Sequence, residues 1–187
     1  PGQAPETLGY LSYLEDAGAR AEQTINDLLG TTQGIQKAGY VLCDMAAALT
    51  DVLADLKPAI AAVQPQLTIG TLPVLNTIPS MLRRVFSNLL DNAIKYRDPL
   101  RPLQIQIQAE RRGNFWIIAI TDNGLGIAAE EAAHAFEPFR RLTSSGQQEG
   151  SGIGLASCKT IIEDLGGTIW LAPNNNAGLT VSFSLPA

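Results

Sequence analysis

The chain has 187 residues, 45% of them hydrophobic, enough for one full core and a second small element. A formal net charge of -5 and a pI of about 4.8, without a basic stripe, argue against a nucleic-acid surface. Cys43 and Cys158 are far apart with no CxxC spacing, so they read as buried free thiols of a reducing compartment, with a disulfide as the alternative. No apolar run reaches membrane-spanning length and Pro1 to Thr7 has no signal-like core; the expectation is a cytoplasmic piece of something longer.

After that opening loop, Leu11, Leu14, Gly18, Ala21, Ile25, Leu28, Thr32 and Ile35 recur at steps of three and four. Such a heptad seam predicts a long helix over residues 8–36 that packs lengthwise on a partner, and through it a homodimer. Gly34 and Gly39 bracket a hinge, so residues 1–39 and 40–187 read as two units. Asp44 to Lys57 predicts a helix that runs past Pro58 to about Val63. Gln66 to Ile69 and Leu72 to Leu75 are short extended pieces. Pro79 suits a helix's first turn, with Asn76 or Thr77 as its cap, and that helix should stop before Asp98-Pro99.

Leu103 to Gln108 alternates apolar and polar, a strand with one wet face, and Phe115 to Thr121 is its more buried hairpin partner across the Arg112-Gly113-Asn114 turn. Asp122 to Ile127 is a glycine loop, Glu130 to Ala135 a short helix, and Arg140 to Ser151 a long polar loop. Ile153 to Leu165 predicts a helix with Leu155, Cys158, Ile161, Ile162 and Leu165 inward, stopped by Gly166-Gly167. Strands at Thr168 to Leu171 and Leu179 to Leu185 flank a turn at Asn174 to Asn176. The fold class is α/β: a two-layer sandwich with helices over a mixed, mainly antiparallel sheet, preceded by the coiled-coil-like helix.

The helix over Ser80 to Tyr96 has two faces. Leu82, Val85, Phe86, Leu89, Leu90, Ala93 and Ile94 form an apolar one; Asn88, Asn92, Lys95 and Tyr96 form a polar stripe opposite. By itself the stripe reads equally well as a solvated face. Two glycine segments weigh against that. In Asp122-Asn123-Gly124-Leu125-Gly126-Ile127 a carboxylate at a strand end can accept from a ligand amine, and Gly124 and Gly126 let backbone approach a flat ring. Gly150-Ser151-Gly152-Ile153-Gly154-Leu155 runs into a helix, whose first N–H groups suit a phosphate. Neither a P-loop lysine nor a preceding strand accompanies it, which excludes the two commonest phosphate fingerprints. Each glycine segment alone fits an ordinary turn.

Taken in order, NLLDNAIKY, DNGLGI, FEPFRRL, GSGIGLA and GLTVSFSLP resemble the ATP-binding catalytic domain of sensor histidine kinases, in the superfamily shared with heat-shock chaperone and mismatch-repair ATPases. The resemblance covers about Val41 to Ala187, and the seam helix is similar to the second helix of the kinases' dimerisation hairpin. IKYRDP and FRRL carry a narrower likeness to bacterial phytochrome kinase modules.

The resemblance implies ATP and Mg²⁺ as cofactors, with Asn92 as the metal ligand and Asn88 beside it. It implies Lys95 at a phosphate, Tyr96 near adenine or ribose, and Asp122 accepting the adenine amino hydrogen beside Gly124 and Gly126. Gly150, Ser151, Gly152, Gly154 and Leu155 would border the phosphates, Arg141 (or Arg140 in exchange) would meet the γ-phosphate, and Phe136 and Phe139 would anchor a lid over residues 140–151, with ordinary core as the equal alternative for the two rings. Asn88 stands where hydrolytic relatives place a carboxylate; an amide cannot take a proton, which favours a kinase over an ATPase. The phosphoacceptor is expected outside this chain, because His134 in EEAAHAFEPF has the wrong surroundings and reads as a partly exposed helix residue. The implied partners are a second copy, a response-regulator receiver domain and an upstream sensor region. The alternative is a non-catalytic dimeric adaptor of the same fold.

Overall fold

The computed structural model describes residues 39–140, 152–174 and 178–187. The helix expected over 8–36, most of the 140–151 loop and residues 175–177 lie outside the described residues. The first elements are strand β1 (Val41–Asp44), helices α1 (Met45–Asp55) and α2 (Lys57–Val63), strands β2 (Gln66–Ile69) and β3 (Val74–Thr77), and helix α3 (Pro79–Lys95). Strands β4 (Gln104–Arg112) and β5 (Phe115–Asp122), helices α4 (Ala129–Ala132) and α5 (Gly154–Asp164), and strands β6 (Ile169–Pro173) and β7 (Leu179–Pro186) complete the order.

Five strands form one sheet in the order β2-β4-β5-β7-β6, with β2 parallel to β4 and every other pairing antiparallel. The alternation read in β4 is observed: Ile105 and Ile107 are buried while Gln104, Gln106 and Gln108 are exposed. Ile118 and Ile120 of β5 and Val181, Phe183 and Leu185 of β7 continue that apolar face, because period-two side chains in register stay on one side. β5 is the more buried strand of the hairpin, as expected, with its other face half-buried where that of β4 is exposed.

Helix α3 lays its apolar face into this layer. All seven residues assigned to that face are buried, together with Met81. Phe86 meets Phe183 edge-to-face at 6.2 Å between ring centroids, joining helix to sheet. α1 and α5 pack beside α3, and Cys158, Ile161 and Ile162 of α5 complete the core. Leu165 is buried as expected, but Leu155 is half-buried and turns to a cleft instead. Both cysteines are free, and burial, aided by Asp44, pushes the Cys43 thiol up.

Four sequence expectations change. β1 forms where no strand was expected: it pairs antiparallel with β3, Cys43 opposite Leu75, in a separate two-stranded ribbon. The helix from Asp44 breaks at Leu56, because Pro58 has no N–H for the Ala54 carbonyl and its ring crowds it. Asp44 itself caps α1, accepting from the Ala46 and Ala47 N–H groups at 2.8 and 3.4 Å. Neither Asn76 nor Thr77 caps α3; both belong to β3, the cap position is Ile78 without a side-chain bond, and Pro79 begins the helix. The short helix ends at Ala132, with turns over 133–136.

Arg83 bridges α3 to α1, with Nη1 2.9 Å from Asp51 and Nη2 2.9 Å from Asp55, all on the surface. Core and surface should therefore differ sharply in urea denaturation. Phe86→Ala is expected to cost about 3–5 kcal/mol by leaving a cavity under the sheet, and Arg83→Ala below about 1 kcal/mol.

Candidate functional site

A cleft of about 610 Å³, solvent-filled mouth included, opens between the polar stripe of α3, the end of β5 and the start of α5. Its floor is apolar, from Leu89, Ala93, Ile120 and Val181; Asn92, Tyr96, Asp122, Leu125, Gly126 and Leu155 stand on its walls. The four stripe residues are all half-buried, which sets aside a freely solvated face. Asn88 donates from Nδ2 to the Gly154 carbonyl at 3.3 Å, so the stripe is tied to the first turn of α5. A Cβ at Gly154 would lie 3.9 Å from both Asn88 Cγ and Asn92 Nδ2. Lys95 Nζ sits 5.4 Å from the centroid of the Tyr96 ring, a cation–π distance.

Asp122 closes the other end. Burial pushes its carboxyl above the ordinary aspartate value, and N–H groups of Gly124 and Leu179 oppose the shift. Gly124 N–H donates to Oδ1 at 2.8 Å. A half-buried carboxylate beside an apolar floor is suited to a flat ring bearing an amine.

Residues 77–187 match the family described as histidine kinase-, DNA gyrase B- and HSP90-like ATPases. The chain belongs to that family. It is 32% identical to cyanobacterial phytochrome A of Nostoc sp. over 178 residues, 95% of this chain and 23% of that protein. It is 34% identical to the alginate biosynthesis sensor protein KinB of Pseudomonas aeruginosa over 182 residues, 94% of this chain and 30% of that protein. The histidine kinase AdeS of Acinetobacter baumannii superposes with a TM-score of 0.72 at 25% identity, covering 99% of this chain and 86% of that structure. The chain spans about a quarter of the length of the curated relatives it matches. Within the family it is a sensor-histidine-kinase ATPase domain, and the two-layer sandwich expected from the sequence is the observed one.

Several devices hold the Asp122 loop of this ATPase domain, and sequence reasoning missed most of them. Asn123 accepts from Gln104 N–H at 2.8 Å and donates to the Pro102 carbonyl at 3.0 Å. Arg101 donates from Nη2 to the Gly124 carbonyl at 3.1 Å. Asn174 donates to the Asp122 carbonyl at 3.2 Å and accepts from Thr180 Oγ1 at 2.9 Å, which lies 3.0 Å from Thr121 Oγ1. The YRDPLRP stretch could have drawn attention to Arg101 only by its charge beside two prolines; Asn174 carried a turn signal and nothing more.

The glycines serve the chain's own packing. At Gly124 a Cβ would stand 2.5 Å from the Tyr96 carbonyl oxygen and 2.9 Å from Asp122 Oδ1. Room for a ring is therefore not what that glycine supplies; close approach of loop to helix is. Gly126, which does line the cleft, abuts Gly178. Gly152, at φ +70°, abuts the Phe139 and Arg140 backbones, and Phe139 N–H donates to the Gly152 carbonyl at 3.0 Å. That bond ties the two ends of the 140–151 loop together. Phe139 is itself at φ 63° and exposed, so it is not core, whereas Phe136 is half-buried. Arg141, Gly150 and Ser151 lie outside the described residues.

His134 is exposed, in the turn after α4, with Nδ1 2.7 Å from Glu137 Oε1. Its hydrogen bond holds the Glu137 carboxyl below the usual range, and Arg140 stands 3.5 Å away. Among the described residues no cluster of three His, Cys, Asp or Glu side chains could cage a metal. The donors on the cleft wall are neutral amides, and Asn88 already spends its NH₂ on Gly154, leaving an oxygen. Hard neutral oxygens fit a small divalent ion that arrives with phosphates and keeps some of its water.

The raised Asp122 carboxyl has a stability signature. A group whose folded-state pKa is raised contributes stability that is present below its unfolded pKa and lost as pH rises through the folded value. Asp122→Asn removes the buried charge while keeping an oxygen for Gly124 N–H. Thermal melts of the nucleotide-free protein are expected to show the variant equal to or above the parent at pH 7. Its advantage should shrink as pH falls toward the ordinary aspartate value of about 3.9.

Proposed function

We propose that the chain binds Mg-ATP in this cleft and passes its γ-phosphate to a histidine on a helix outside this chain, and thence to a response-regulator aspartate. The observation that carries the reading is the Asn88 bond to the first turn of α5, with Asn92 beside it, opposite a half-buried, raised Asp122 over an apolar floor. Family membership and relatives named as sensor kinases support it.

In this reading the adenine lies on Leu89, Ala93, Ile120 and Val181, and Asp122 accepts its amino hydrogen beside Gly124 and Gly126. Tyr96 packs near the ring or ribose. The N–H groups opening α5, with Gly150, Ser151, Gly152, Gly154 and Leu155 at its entrance, face the phosphates, where the helix dipole favours negative charge. Lys95 brings an ammonium to them, and Arg141 reaches the γ-phosphate. Asn92 would hold Mg²⁺ through its amide oxygen, with Asn88 beside it, and the ion would supply positive charge to the phosphates. Asn88 cannot accept a proton from water, so the chain's residues position and screen a phosphoryl group without activating hydrolysis. Phe139 and Gly152, joined by the hydrogen bond described above, flank the α5 end of the cleft.

The wider reading divides the chain at 1–39 and 40–187, with residues 8–36 forming a homodimer and an upstream region sensing the signal. A cytoplasmic location follows from the need for ATP. No helix among the described residues is long and apolar enough to cross a membrane.

Calorimetric titration tests the site. Asn92→Ala is expected to lose roughly ten- to a hundredfold in Mg²⁺-dependent ATP affinity, the scale of a hydrogen bond or ligand contact to a charged group, with its melting temperature retained. Near-parent affinity would remove the metal assignment. With labelled ATP and a histidine-bearing helical hairpin supplied, acid-labile phosphate should appear on the protein. Steady phosphate release without any acceptor would favour a hydrolase instead.

A further inference from the structure

We infer that Arg101 is a positioning residue for base recognition: held by Asp98, it clamps the Gly124–Leu125 peptide and so keeps Asp122 aimed at the exocyclic amine. The inference rests on the ATP reading and deepens it.

The clamp is visible in one peptide unit. Arg101 Nη2 donates to the Gly124 carbonyl at 3.1 Å, and the N–H on the other side of that same peptide, Leu125, donates to the Tyr96 carbonyl at 3.0 Å. The peptide is therefore gripped from both ends. The peptide before it is gripped too: Gly124 N–H meets Asp122 Oδ1 at 2.8 Å, and the Asn123 side chain is bonded to Pro102 and Gln104. Glycine has the widest choice of backbone conformations, so a glycine that donates to the working carboxylate needs outside restraint. Here the connector between α3 and β4 supplies it.

Arginine is suited to the task by shape. Its guanidinium forms an ion pair with Asp98, Nε 3.1 Å from Oδ2 and not aligned for a hydrogen bond, while Nη2 donates to Gly124; a lysine's single nitrogen cannot serve both directions at once. Asp98 is fixed in turn, its Oδ1 accepting from Leu100 N–H at 2.9 Å and its carbonyl from Arg101 N–H at 3.4 Å. The guanidinium does not act on Asp122 as a charge: the Asp122 shift comes from burial opposed by two backbone N–H groups. Its influence passes through the peptide.

The test compares Mg-ATP with Mg-ITP, which lacks the exocyclic amine, by calorimetric titration of the whole chain. The parent is expected to prefer ATP. Arg101→Gln should lose about five- to tenfold in ATP affinity, the scale of one misaligned hydrogen bond, with ITP affinity changed less than about twofold, so that the preference collapses. Arg101→Lys should recover part of it, and in an Asp122→Ala background Arg101→Gln should add nothing. Equal losses for both nucleotides, an intact preference, or additive losses in the double variant would overturn the clamp while leaving the ATP reading in place. A parent without any preference for ATP would overturn both. If Arg101→Gln does not fold by thermal melting, Asp98→Asn carries the same comparison, since it keeps the guanidinium and loosens its anchor.

Discussion

The two-faced character of α3 is the constraint on which the rest depends. A 17-residue helix with eight buried apolar positions has one rotation about its axis that buries them all. Phe86 against Phe183 pins that rotation to the sheet, and α1 and α5 hold it from the sides. Once the apolar face is seated, the polar stripe points into the space between sheet and α5. The position of the amides is thus a consequence of core packing.

Three tight or costly arrangements surround this space. A carboxyl is kept there at the cost of burial, a phenylalanine adopts a left-handed backbone at the hinge of the 140–151 segment, and loop and helix approach so closely at Gly124 that only a glycine fits. α3 buries its apolar face, and β4, β5 and β7 stay in register. The core stabilises a frame rigid enough to hold a strained rim.

What was legible in the sequence was what repeats. Period two revealed β4, and a period near 3.6 revealed α3 and α5, because burial on one face writes itself along a single segment. β1 left no such mark: it is four residues long, only Cys43 is buried, and its reason for being extended is β3, about thirty residues away. The break at Leu56 was signalled by Pro58 but outweighed by an apolar pattern that continued through it. Within the site, Asn88, Asn92, Lys95, Tyr96 and Asp122 could be picked out because their motifs cluster along the chain. Arg101 and Asn174 could not, since each acts on a loop far away in sequence through one hydrogen bond.

Position 88 shows how packing and chemistry can converge on one side chain. The Asn88 NH₂ donates to the Gly154 carbonyl, the link between the stripe and the entrance of α5. An aspartate or glutamate there would have no proton to donate at neutral pH and would set a negative oxygen against a carbonyl. The link at the α5 end of the cleft thus uses the amide that also makes position 88 useless as a base. Converting such a site into a hydrolase takes more than an exchange of one residue for an acid: the first turn of α5 would need a different tether. On the proposed Mg-ATP reading, a preference for an external acceptor over water would be built into how α3 and α5 pack.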